Sequence, residues 1–139
     1  MRSTLLLALI VIILPNAVRS QCLKCEPALV TLVGTVYAKD FPGPPEYESI
    51  RKGDERMRYW ILHLSKPVCV EGDDFDSTRA ANVRDLQLVF TDETFYPRYR
   101  RYVQQRARFR VVGSLFHQQT AHHVTKILIT VKELVPLRR

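Results

Sequence analysis

Three of the four histidines in this chain, His117, His122 and His123, fall inside the short stretch Leu115 to Ile129. Imidazole nitrogens are good donors to zinc or copper, and a zinc site normally takes at least three protein ligands. If His117, His122 and His123 met at a hairpin tip, they would form such a set, and the chain would be a metal-binding module. The competing expectation, preferred here, is a polar turn between two strands that holds no metal. A second group of reactive residue types lies in and beyond a proline-rich loop. Tyr47, Glu48 and Asp54, with Trp60 just after it, could border a ligand, and Glu48 with Asp54 or Glu55 could act as the acid/base pair of a small hydrolase. Nothing in the spacing sets the separation of those carboxylates, so the chain is expected not to be an enzyme. The acids Glu71, Asp73, Asp74 and Asp76 could offer oxygen ligands to calcium, but their spacing matches no twelve-residue calcium loop. A solvated polar turn is the expectation there.

Arginine interleaves with aromatic residues from Phe95 to Phe109: Tyr96, Arg98, Tyr99, Arg100, Arg101 and Tyr102. Arginine plus stacking rings is a footprint of single-strand nucleic-acid binding. Here, however, Phe95, Tyr99, Tyr102 and Val103 recur at helical spacing, so the rings are expected to cover a core. No specific nucleic-acid partner is expected.

The start of the chain points to export. Arg2 precedes an unbroken apolar run from Leu5 to Leu14, which Pro15 and Asn16 end, and Val18-Arg19-Ser20 suits a cleavage site. The run is too short for a membrane span, and none of spanning length follows. Residues 1–20 are read as a cleaved signal and 21–139 as one domain, either periplasmic or extracellular, with no transmembrane segment. Removing Arg2 and Arg19 from the 21 basic residues leaves 19 against 14 acidic ones. Six arginines fall between Arg98 and Arg110 with no acid among them, so the charge is patchy.

Cys22, Cys25 and Cys69 are the three cysteines, and in an oxidising compartment two of them should pair. Cys22-x-x-Cys25 has the spacing of a redox motif, but it sits before Glu26-Pro27 at the start of the domain, not between a strand and a helix. A Cys22–Cys69 bond that ties the N-terminal arm to a strand is the preferred reading.

These residues must be positioned by short strands. Alternating apolar residues predict strands over Ala28–Tyr37, Arg58–Val70, Val83–Phe90, Arg106–Phe116 and His123–Val135. Gly34 in the first strand suggests a bulge or sharp coil. Residues 38–57 read as a long loop and 71–82 as a polar turn. Thr91-Asp92-Glu93 reads as a helix start, and Pro97 makes that helix short, kinked or late. The order is three strands, a helix, then two strands. That is the order of the OB-fold, a five-stranded barrel. Within the last hairpin, pairing His117 with His123 matches Leu115 to Thr125, Gly113 to Ile127 and Val111 to Ile129, with a loop of residues 118–122. Apolar residues meet on both faces in that register.

Val30-Thr-Leu-Val-Gly-Thr35, Phe41-Pro-Gly-Pro-Pro-Glu-Tyr-Glu-Ser-Ile50, Gly53-Asp54-Glu55, Tyr59-Trp60, Lys66-Pro-Val-Cys-Val70, Gly113-Ser-Leu-Phe-His117 and His122-His123 together resemble one family. It is a family of small secreted bacterial domains known only as a domain of unknown function. The resemblance implies an envelope location and a barrel, and no activity. It also implies the pair Cys22 and Cys69. Cys25 departs from the family pattern and is the candidate free thiol. Gln119 and Val124 replace histidines of the family's turn. The expected function is that of a non-catalytic binding domain whose partner is an envelope protein or an anionic envelope component.

Overall fold

Apolar side chains alternate with polar ones along five segments, and burying one face of each produces a closed barrel. The computed structural model describes residues 21–138; residues 1–20, where the export signal is expected, lie outside the described residues. The elements are β1 (Val30–Pro42), β2 (Arg56–Val70), β3 (Ala80–Phe90), α1 (Phe95–Gln104), β4 (Arg108–His117) and β5 (Ile127–Pro136), with one 3-10 turn at Ile50–Lys52. Around the barrel the strands run β1-β2-β3-β5-β4, and β4 returns to pair with β1. Every pairing is antiparallel except β3 with β5. With α1 between β3 and β4, this is the OB-like architecture expected from the order of elements.

The inward face of each strand follows a period of two. Leu32 and Val36 of β1, Trp60, Leu62 and Leu64 of β2, Leu86 and Leu88 of β3, Phe109, Val111 and Leu115 of β4, and Ile127, Ile129 and Val131 of β5 form one buried cluster. Each such side chain, fully buried, contributes roughly 1.5–3 kcal/mol relative to exposure.

Gly34 sits where β1 passes from one neighbour to the other, opposite Leu64 of β2 and Phe109 of β4. A Cβ there would lie 2.3 Å from the His63 carbonyl oxygen. The glycine therefore permits close approach of two backbones at a barrel corner. β1 runs on past the expected Tyr37 because its second half pairs with the start of β2, as far as Pro42 opposite Arg56.

Helix α1 starts later than Thr91-Asp92-Glu93 suggested. Asp92 Oδ1 accepts from the Thr94 amide at 2.8 Å in the turn before it. Pro97 then falls in the first turn, where its missing N–H breaks no intrahelical bond. Val103 is buried, and Phe95 and Tyr99 pack against the cluster, so α1 caps one end of the barrel.

The N-terminal arm closes the other end. Cys22 and Cys69 form the disulfide expected for this pair. The Leu23 amide donates to the Cys69 carbonyl, and the Glu71 amide donates to that of Leu23, both at 2.8 Å. Cys25 is free and buried.

The last hairpin does not take the expected register. His117 stands opposite Ile127 and Leu115 opposite Ile129, so each partner lies four residues further along β5 than the His117–His123 pairing required. A slip of four leaves the side chains from Gly113 to His117 on their faces, so burial there does not separate the two registers; a bulge between Val112 and Gly113 then adds one residue and turns Leu134 inward. Two other constraints decide. Parallel pairing fixes Ile127–Val131 against Leu86–Phe90. Residues 122–125 are held to β3 instead: Gln87 Oε1 accepts from the Val124 amide at 2.8 Å, and Thr125 Oγ1 accepts from the Gln87 amide at 2.8 Å.

Candidate functional site

The proline-rich loop, residues 43–55, is organised by one carboxylate. Asp54 is 8% exposed. It accepts hydrogen bonds from the backbone amides of Glu46 at 3.0 Å and of Glu48 and Ser49 at 2.7 Å each. The Ser49 amide above all, against some desolvation, holds its carboxyl below the ordinary carboxylate range. Its oxygens are thus occupied in folding the loop, and it is ill-suited to donate a proton. Glu48 is exposed and Tyr47 half-buried, the latter with a left-handed φ of 59°. Trp60 points into the barrel with only 6% exposure. The four residues expected to border one ligand therefore lie in different layers: Tyr47 and Glu48 on the loop, Asp54 within it, and Trp60 in the core.

The three histidines separate as well. His117 is the last inward residue of β4 and is 1% exposed. Its Nε2 lies 2.9 Å from the Glu71 carbonyl oxygen, which can only accept, so Nε2 carries the proton. Its Nδ1 faces Asp76 Oδ2 at 3.6 Å and has no hydrogen-bond partner among the described residues. His122 lies on the opposite, outer side, with Nε2 3.2 Å from Tyr47 Oη and the two rings edge to face. His123 Nδ1 accepts from the Gln119 amide at 3.0 Å, and its ring packs on Phe116. Burial, then the neighbouring His122, lowers the His123 pKa. Only a five-residue loop with His117 beside His123 would have joined them, and the longer connection 118–126 carries His122 and His123 away to β3. Among the described residues no three histidine, cysteine or acidic side chains are arranged to hold a metal.

The 71–76 acids are likewise engaged with backbone. Asp73 accepts from the amides of Phe75, Asp76 and His117, and Asp76 from that of Thr78. This is a hydrogen-bonded turn that also ties down the end of β4.

In barrels of this class, ligands bind on the outer side of the second and third strands, between the loops that flank it. Here this chain fills part of that face itself. Ile61, Gln87, Phe116 and Leu128 point outward from the barrel yet are buried. The Gln87 side chain donates to the His122 carbonyl at 3.2 Å, and Tyr47 meets His122 from the other loop. Beyond this cover, His63 and Asp85 pair across the strands at 2.7 Å.

What remains open lies at the two ends, and the ends differ in charge. Around the arm and the 71–79 turn lie Glu26, Glu71, Asp73, Asp74 and Asp76, with Lys24 and Arg79. The α1 end carries Arg98, Arg100, Arg101, Arg106, Arg108 and Arg138, none of them in an ion pair among the described residues. Arg106 lies over the Tyr37 ring, 5.5 Å from its centre. Of the six arginines noted in the sequence, only Arg110 is neutralised, by Glu133 at 2.8 Å. Tyr99 and Tyr102 both lie edge-on to Phe109, Tyr99 half-buried and Tyr102 43% exposed. They cover the core more than they offer stacking platforms. Asp40, held between Arg56 and Arg58 at the same end, has no sequence signal: the pairing of β1 with β2 alone creates it.

A family model described as a domain of unknown function (DUF4431) matches residues 85–134, from the middle of β3 through α1 and β4 into β5. The matched part includes the histidine segment and excludes the Phe41–Ile50 motif. It supports a family of unknown function and assigns no activity. No curated protein matches the chain.

Proposed function

We propose that this chain is an exported, non-catalytic binding domain that engages an anionic component of the cell envelope through the arginine-rich end of its barrel. The observation that carries the reading is the segregation of charge. Arg98, Arg101, Arg106 and Arg108 are exposed and make no ion pair among the described residues at the α1 end, where arginines outnumber Asp40, Asp92 and Glu93, while Glu26, Glu71, Asp73, Asp74 and Asp76 gather at the other end. Such an end attracts phosphate-bearing surfaces at roughly 1 kcal/mol per arginine near the surface. The Cys22–Cys69 bond supports an oxidising compartment. No helix among the described residues is long and apolar enough to cross a membrane. A non-catalytic role accords with the engaged Asp54 and the separated histidines. A specific nucleic-acid role is disfavoured because the barrel's outer face is partly filled by residues 122–125.

The test is co-sedimentation of residues 21–139 with neutral phosphatidylcholine vesicles and with vesicles containing about one-third phosphatidylglycerol. Binding is expected only to the anionic vesicles, and should weaken as salt rises from about 50 to about 200 mM. Replacing Arg98 and Arg101 with glutamine should cost about 2 kcal/mol, roughly thirtyfold in affinity. Equal binding to both kinds of vesicle, or to neither, would overturn the proposal.

A further inference from the structure

At the α1 end the barrel is left unsealed on one side. Tyr96, Pro97 and Val103 of α1, with Ala38 of β1 and Trp60 of β2, line a cavity of about 470 Å³ with Arg58 and Arg100 at its rim. That volume falls in the range of small-molecule sites, and the lining is of the usual kind: mostly apolar, with a few placed polar groups. The apolar part is rigid. Trp60 meets Tyr96 edge-on with ring centres 5.0 Å apart, and Phe90 packs against both rings, 5.5 Å from the indole and 5.0 Å from Tyr96.

The rim is cationic. Asp40 takes the Arg58 fork at 2.6 and 3.0 Å and Arg56 at 2.7 Å. One carboxylate thus faces two guanidinium groups and leaves a positive excess. Arg100 adds a second positive charge, since it makes no ion pair among the described residues. Its position on α1 turns it toward the cavity beside Tyr96 and Val103, whereas Arg98 and Arg101 lie on the solvent side of the helix. The opposing charge nearby is Glu93, which faces the Tyr96 hydroxyl.

We propose that this cavity binds a small amphipathic anion: an apolar ring or short chain lying against Tyr96 and Pro97 and touching the edge of Trp60, with a carboxylate, sulfonate or phosphate group meeting Arg100 at the rim. Aromatic walls favour an edge-to-face or offset ring. A guanidinium without a partner provides paired donors for a planar or tetrahedral anion. This goes beyond the surface reading above, because it concerns a different ligand class and a different arginine.

Trp60 is the only tryptophan of the chain, so its emission reports on the cavity directly. The probe is 8-anilinonaphthalene-1-sulfonate, and its neutral counterpart N-phenyl-1-naphthylamine carries the same ring body without the charge. Saturable one-to-one binding of the sulfonate is expected, with energy transfer from Trp60. Arg100→Gln should weaken it roughly tenfold, the effect of removing one charged donor. Arg101→Gln, on the solvent side, should leave it unchanged, and the neutral probe should bind at least about fivefold more weakly. Both variants alter exposed positions, and their thermal unfolding checks that they fold. Equal binding of the two probes, indifference to Arg100→Gln, or no saturable signal from Trp60 would each overturn the proposal. None of these outcomes bears on vesicle binding through Arg98 and Arg101.

Discussion

Removing the disulfide by replacing both Cys22 and Cys69 with serine should destabilise the domain mainly through its unfolded state. The bond joins residues 47 apart in sequence. In the chain-entropy model a closed loop of that length is worth about 4 kcal/mol at 25 °C. The folded arm keeps its other ties without the bond: the two hydrogen bonds of Leu23 to β2 and its end, and the Glu26 amide donating to the Leu115 carbonyl at 2.8 Å. Little native structure is therefore expected to be lost, and the predicted deficit is about 3–4 kcal/mol. For a domain of this size each kcal/mol moves the midpoint by roughly 3–5 °C, so thermal unfolding should shift down by roughly 10–20 °C. Urea unfolding followed by circular dichroism provides a second signature. Freed from the cross-link, the unfolded chain exposes more surface, so the m-value should rise while the midpoint falls. A double variant within about 1 kcal/mol of the native protein, with an unchanged m-value, would refute the loop-closure reasoning.

Gly34→Ala should cost about 2–3 kcal/mol in urea, because its Cβ would press on the His63 carbonyl oxygen at 2.3 Å and on Leu62 Cδ1 at 2.9 Å; an unchanged midpoint would contradict the tight barrel corner. Asp54→Asn should speed hydrogen exchange at the Glu46, Glu48 and Ser49 amides, read by NMR. Because the folded pKa of Asp54 is depressed, its contribution is present above the unfolded value and lost as pH falls through the folded one, and the variant should lack that part of the acid dependence. Burial first, then Asp73, Glu26 and Glu71, pushes the Cys25 thiol up to about 11 from 9.0. It should resist alkylation in the native protein at pH 8 and react on denaturation. A thiol whose folded pKa is raised stabilises fully below the unfolded value, so stability should fall from about pH 9 to about pH 11, less steeply in Cys25→Ala. Calorimetric titration with zinc or copper should find no tight stoichiometric site; submicromolar binding abolished by His117→Ala would show that the separated histidines converge on a metal after all.

The sequence by itself determined the barrel, since period-two burial in five segments and a helix between the third and fourth admit few closed arrangements. Cys22 with Cys69 was legible in part: the count alone leaves three pairings open, but this one ties the N-terminal arm to a strand, and the family resemblance implied the same pair. Strand ends were less legible. β1 extends to Pro42 because a partner across the barrel pairs with it, and no residue within Ala38–Pro42 announces this. The hairpin register was not legible, because a slip of four preserves both faces from Gly113 to His117, and the bulge at Val112–Gly113 shifts the rest by one more. Gln87, distant in sequence, captures Val124 and His122 and so draws the histidines apart. The same applies to the ends of the barrel. The arginine run is visible along the chain, but which arginines remain unpaired depends on where strand pairing sets the acids. Glu133 reaches Arg110 across β4 and β5, Asp40 reaches Arg56 and Arg58 across β1 and β2, and Arg100 is left without an acid beside the cavity. Local pattern records what each segment buries. Only closure of the barrel decides which distant charges meet and which are left facing solvent.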